Sequence, residues 1–298
     1  MEIPKLYKYR YFNEELTSKD GTAYGEEIPK WEQVLYDGIV FPSNPETFND
    51  PYDCNFILNS DFIHWKLLRL IAIEAINKNF SYQLTESEKF EILKSNNEKR
   101  ALEKAIKNRE PFKYKLLTNE IYKSFEEVIK NIKTILKVAC FSERKDSILM
   151  WSHYANNHTG FCIEYDFSKW ELNDRIQQVK YTKHRHKMSE ADFTGTISLS
   201  DLWKIIDNEV LYKSDEWEYE KEWRISFPWP KESKTFKYKN GQQPIYELKE
   251  YITGIYLGLC VEDDYKRKVC EHFKNTDIKI FQMTTKDEEY ELIPEEIR

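Results

Sequence analysis

The chain has 298 residues, 40% hydrophobic and 15% aromatic, enough to bury the core of one large domain or two ordinary ones. Its formal net charge of −7 excludes a global electrostatic attraction to nucleic acid or anionic lipid and leaves room only for a local basic patch. No stretch approaches the roughly 20 apolar residues of a membrane span, and MEIPKLYKYRYF at the start lacks the apolar segment of a signal peptide, so a cytoplasmic protein with no membrane partner is expected.

In chain order, LYKYRYF alternates and is rich in β-forming residues, which predicts a first strand carrying Lys8 and Arg10 on one face. IPKWEQVLYDG reads as a helix, IVFPS as a short strand, and NPETFNDPYD as a structured loop. Between Gly38 and Gly160 there is no glycine. Phe62, Trp65, Leu68 and Ala72, and later Leu117, Ile121, Phe125, Val128, Ile132 and Ile135, recur at helical spacing, while Glu86 to Lys107 is charged enough for a solvated helix. A helical insertion at about 60–137 is therefore expected inside a single α+β domain spanning 1–298.

After it, VACFS predicts a strand ending at Ser142, with Asp146 or Ser147 capping the helix that carries Trp151, His153, Tyr154 and His158. Trp151, Tyr154 and His158 share a helical face. His153 and His158, five apart, make poor ligands for one metal, and no metal is expected. GFCIEYDF and QVKYT follow as strands, then WEYEKEWRISF, read as one strand with Glu220 and Glu222 on the same face. ITGIYLGLCV is a buried strand, EDDYKRKVCEHFK a helix with acids first and Lys/His last, and IKIFQMTTK and YELIP are closing strands. The five cysteines contain no CxxC pair and sit mostly in apolar contexts, which predicts reduced core residues.

Each motif has a plain structural alternative. Ser142 can be a turn hydroxyl, the helix aromatics can be core, and Glu220, Glu222 and Arg224 can form a solvated ladder of little energetic consequence. VKYTKHRHK, with Lys180, Lys183, His184, Arg185, His186 and Lys187, can be a solvated loop or can hold a phosphate or nucleic-acid backbone. The chain has no Walker-type loop, GxGxxG, HExxH or GxSxG, which disfavours P-loop NTPases, Rossmann dehydrogenases, zincins and α/β hydrolases.

Taken together, the LYKYR start, the FNDP loop, FS…DSILMWSHYA…H.GFCIEYD and the late W.YE.EWRI resemble a bacterial family catalogued as domain of unknown function number 2971. More distantly, the order of elements resembles ADP-ribosyltransferase-like folds, with a mixed or antiparallel sheet core. That resemblance implies a basic first-strand residue (Lys8 or Arg10), a middle serine (Ser142) and a catalytic glutamate (Glu222) preceded by Glu220. The chain departs from it in having no Ser-Thr-Ser run after Phe141 and in its helical insertion.

What the resemblance implies is an NAD-consuming transferase or glycohydrolase. Glu222 would stabilise the oxocarbenium-like transition state, Glu220 would orient or deprotonate the acceptor, and Ser142 would position the ribose or Glu222. Lys8 or Arg10 would neutralise the pyrophosphate, Trp151 or Tyr154 would wall the nicotinamide, and His153 would join them in binding the cofactor. NAD is then the substrate, with an unknown acceptor as partner. A nucleic-acid-acting protein using VKYTKHRHK, and a non-catalytic sensor or interaction module, are the alternatives.

Overall fold

The computed structural model describes residues 3–18, 27–55, 73, 84–94, 134–186, 206–227, 234–239 and 243–298. Most of the segment 60–137 expected to be helical lies outside the described residues. The described elements are β1 (Leu6–Arg10), β2 (Leu16–Ser18), β3 (Glu27–Pro29), α1 (Lys30–Leu35), β4 (Ile39–Val40), α2 (Glu86–Lys94), β5 (Lys137–Ser142), α3 (Ile148–Tyr154), β6 (Phe161–Tyr165), β7 (Gln177–Gln178), β8 (Lys180–Thr182), β9 (Tyr212–Ser214), β10 (Glu222–Phe227), β11 (Phe236–Lys239), β12 (Gln243–Glu247), β13 (Ile252–Leu257), α4 (Asp263–His272), β14 (Lys279–Thr285) and β15 (Leu292–Glu296). The described residues form a mixed α+β structure with a large mixed sheet and few helices.

Two compact units divide the chain: 1–47, 137–181 and 214–298 in one, 48–136 and 182–213 in the other. The first holds an eight-stranded sheet in the order β15-β14-β13-β6-β1-β5-β10-β7. Its neighbours run antiparallel except β13 and β14, which are parallel and joined through α4, as a parallel pair requires a crossover. A smaller sheet, β11-β12-β4, and the ribbon β2-β3 complete this unit.

Alternation along β1 sorts the side chains. Leu6 joins Phe141, Ile163, Trp223, Ile225 and Ile255 in the larger core, together with Trp31, Phe167, Trp170 and Phe273. Tyr7 and Tyr9 turn to the opposite face, where Cys162, Tyr256 and Met283 pack beneath Met150 and Trp151 of α3. Both faces of the central strands are therefore buried, so β6 (FCIEY) is an unbroken buried run rather than an alternating one.

The turn between α3 and β6 is built on close approach. Asn156, Asn157 and His158 all have positive φ (47°, 54° and 67°), the left-handed region that asparagine and histidine tolerate better than most residues. The chain then passes so near its neighbours that a Cβ on Gly160 would collide with the Arg10 carbonyl, and one on Gly258 with the His158 carbonyl. Gly258→Ala should cost about 1–3 kcal/mol by overpacking. Thermal unfolding measures this, and an unchanged Tm would mean the turn yields freely.

In the second unit α2 opens with a capping box. Thr85 N–H and Oγ1 donate to Glu88, whose own N–H donates back to Thr85 Oγ1 at 3.3 Å. This covers the described start of the charged stretch read as helical. Asp53 and Lys213, both buried, lie 3.5 Å apart in the same unit. Of the cysteines, Cys54 and Cys162 are buried, while Cys260 is exposed just past β13, unlike the core placement expected of it. No helix among the described residues is long and apolar enough to cross a membrane.

Candidate functional site

The end of β5, the turn into α3 and the start of β10 form one corner of the first unit. Ser142 ends β5, and its Cα faces Tyr7 of β1 on one side and Glu222 of β10 on the other. The serine hydroxyl donates to the Glu220 carbonyl and accepts the Arg144 N–H at 2.9 Å. It works as a turn lock. The turn itself is gripped from below: Tyr9 donates its hydroxyl to the Arg144 carbonyl at 2.8 Å and Trp151 its indole N–H to the Lys145 carbonyl at 2.8 Å. Ser147, not Asp146, caps α3 by accepting the Met150 N–H.

The single strand expected over WEYEKEWRISF is two elements. Asp215–Glu220 is a 3-10 helix capped by Ser214, and Lys221, at φ 46° in the left-handed region, breaks it before β10 starts at Glu222. Acids in the first turn suit the helix N-terminus, and the left-handed Lys221 reverses the alternation a continuous strand would have kept. Glu220 and Glu222 are consequently not two steps of one strand face. They meet the same serine in different ways, one through its backbone carbonyl and one through strand register.

Their carboxylates also differ in environment. Glu222 is buried and takes a bidentate grip from Arg224, with Nε to Oε1 and Nη2 to Oε2 both at 2.8 Å. Arg224 faces Cys140 across the ladder, and burial, followed by the Glu222 charge, pushes the Cys140 thiol up, so it stays protonated. Glu220 is buried too, and its Oε1 accepts the Tyr154 hydroxyl at 2.6 Å. From Tyr154 a chain of rings runs through His153 and Trp217 to Tyr219. His153 is 6.2 Å from both Tyr154 and Trp217, and Trp217 is 6.0 Å from Tyr219. His153 is exposed, and Tyr154, Trp217 and Tyr219 are part-exposed.

The corner thus unites Ser142, Glu220, Glu222 and Tyr154, with His153 beside them. Trp151 belongs to the layer below, fully buried and edge-on to Tyr9 at 5.2 Å. Lys8 and Arg10 stand apart from the serine turn, although the charge of Glu222 still acts on Lys8. They alternate with Tyr7 and Tyr9 and so take the opposite face of the sheet, where Lys8 Nζ lies over the Phe141 ring at 4.8 Å and donates to the Cys140 carbonyl at 2.6 Å. Burial first, then the charge of Arg10, lowers the Lys8 pKa to about 7.

Three participants were not singled out from the sequence. Tyr181 takes the Glu222 N–H on its hydroxyl at 2.8 Å, and Glu143 accepts the Trp223 indole N–H at 2.7 Å and the Gln178 amide at 3.2 Å, tying β10 and β7 to the turn. The third is Trp217, in the W.YE part of the motif. Among the described residues no group of three His, Cys, Asp or Glu side chains is arranged to hold a metal ion.

Residues 150–225, which run from α3 through the start of β10 and include most of this corner, match the family described as Protein of unknown function (DUF2971). Neither the curated proteins nor the solved structures gave a match.

Proposed function

We propose that this corner binds a ribose-bearing nucleotide and cleaves its N-glycosidic bond, with NAD as substrate, in the manner of an ADP-ribosyltransferase-like enzyme or NAD glycohydrolase. One observation carries the reading. A buried carboxylate, Glu220, accepts the Tyr154 hydroxyl on Oε1, its backbone carbonyl accepts the hydroxyl of Ser142, and Ser142 is in register with Glu222.

Breaking a nicotinamide–ribose bond builds positive charge on the ribose, and a preoriented carboxylate in a dry site opposes that charge more in the transition state than in the ground state. Glu222 is a weak candidate for this role, because Arg224 already neutralises it. In this reading Glu220 faces the developing cation. Glu222 and Arg224 form the platform that fixes the first residue of β10, Ser142 sets the turn, and Trp217, Tyr154 and His153 flank the base. Lys8 and Arg10 have no pyrophosphate contact in it.

The experiment is nicotinamide release from NAD by the purified chain, with and without cell extract as a source of acceptor. Glu220→Gln should lower the rate by about 10²–10³-fold, the usual loss for one preorganised electrostatic group, with little change in Tm. Absence of release by the wild-type chain, or equal rates with Glu220→Gln, rejects the proposal.

A further inference from the structure

The proposed nucleotide site makes no use of the second unit, yet the basic run after β8 and the FNDPYD loop come together there. Arg185 lies over the Tyr52 ring, 5.5 Å from its centroid, and donates to the Asn55 carbonyl. His186 stacks on Tyr212 with centroids 3.9 Å apart and planes 3° from parallel, while its Nδ1 is held 2.7 Å from the buried carboxylate of Glu209. A cation–aromatic pair and a stacked imidazole–phenol pair are thereby set on adjacent residues of the chain.

Charge there is sorted by depth. The acids Asp53 and Glu209 are buried and engaged, with Lys213 and with His186. Lys183, His184 and Arg185 are exposed. Tyr52 is 63% exposed, an unusual position for a large ring that a neighbouring guanidinium already orders. In a chain of net charge −7 these residues show solvent two cations, Lys183 and Arg185, and one exposed ring, Tyr52.

We propose that the second unit binds single-stranded nucleic acid, with Lys183 and Arg185 meeting phosphates and Tyr52 stacking against a base. Phosphate attraction alone would need only the lysine and arginine. The exposed ring beside Arg185 favours an unpaired base, because every base has a face to stack and a duplex hides it. An acidic peptide would use the cations and leave Tyr52 idle, which makes the ring the discriminating residue.

The test is fluorescence anisotropy of the full-length chain with labelled single-stranded RNA, single-stranded DNA, and a duplex of the same sequence. Both single strands should bind better than the duplex, with affinity falling as salt rises, and a preference between the two would show whether a 2′-hydroxyl is read. Tyr52→Ala should weaken single-strand binding about tenfold with unchanged Tm, since so exposed a ring contributes little to the fold. Lys183→Ala with Arg185→Ala should weaken it further and flatten the salt dependence by about two phosphate contacts. Equal binding of duplex, no effect of Tyr52→Ala, or no retention at low salt overturns the proposal. None of these readouts depends on nicotinamide release, so the two sites stand or fall separately.

Discussion

Replacing Arg224 by Met should destabilise the chain by about 3–5 kcal/mol, because it leaves the Glu222 carboxylate buried without its bidentate partner. The side chain of Arg224 is fully buried and that of Glu222 is 6% exposed, so water cannot readily replace the lost guanidinium. The double variant Glu222→Leu with Arg224→Met should recover most of the loss, since a buried ion pair exchanged for apolar side chains of similar volume is often neutral or stabilising. Urea denaturation of wild type, single and double variants forms the cycle that isolates the pair. If Arg224→Met unfolded at the wild-type midpoint, the pair would be hydrated and the platform role given to it would fail. The same cycle protects the functional reading: activity lost in Glu222→Gln should track lost stability, whereas activity lost in Glu220→Gln should not.

The residues show why some of this was legible in sequence and some was not. β1 and β13 were legible because LYKYR and ITGIYL combine high β propensity with apolar runs, and α4 because its acids and basic residues follow the helix dipole. The meeting of Ser142 with the region around Glu222 was expected only through the resemblance, since nothing local in either motif says which strands pair. The break at Lys221 was not. Lysine gives no local warning of a left-handed conformation, and DEWEYEKEW alternates well enough to pass for strand. The placement of Lys8 and Arg10 was hidden for a simpler reason. Their shared face could be read from spacing, but which side of the sheet that face takes depends on the register with β5 and β6, a tertiary fact.

Glu164 illustrates a site that spacing could not reveal and on which the sheet itself depends. It lies within the apolar run FCIEY and points among the strands β1, β6 and β13. There it accepts hydrogen bonds from Lys5 Nζ at 2.6 Å, Tyr7 at 2.9 Å, Thr253 at 2.7 Å and Tyr256 at 2.7 Å. Gly254 is its Cα partner on β13. Burial pushes this carboxyl upward, but the hydrogen bonds from Lys5, Thr253, Tyr256 and Tyr7 outweigh burial and hold it below the ordinary glutamate range. A carboxyl depressed in the folded state binds protons later than in the unfolded chain. Its stabilisation is therefore present in full above the unfolded value, about 4.3, and is lost as pH falls through the lower folded value. Glu164→Leu should cost about 3–5 kcal/mol at neutral pH, because three hydroxyl donors lose their acceptor at about 1–3 kcal/mol each and such losses are not additive. Glu164→Gln should cost less and should flatten the decline of stability with acid below about pH 4.3, since an amide cannot titrate. Denaturant midpoints measured between neutral pH and pH 3 separate these outcomes, and a glutamine variant with the wild-type acid slope would place the responsible carboxylate elsewhere.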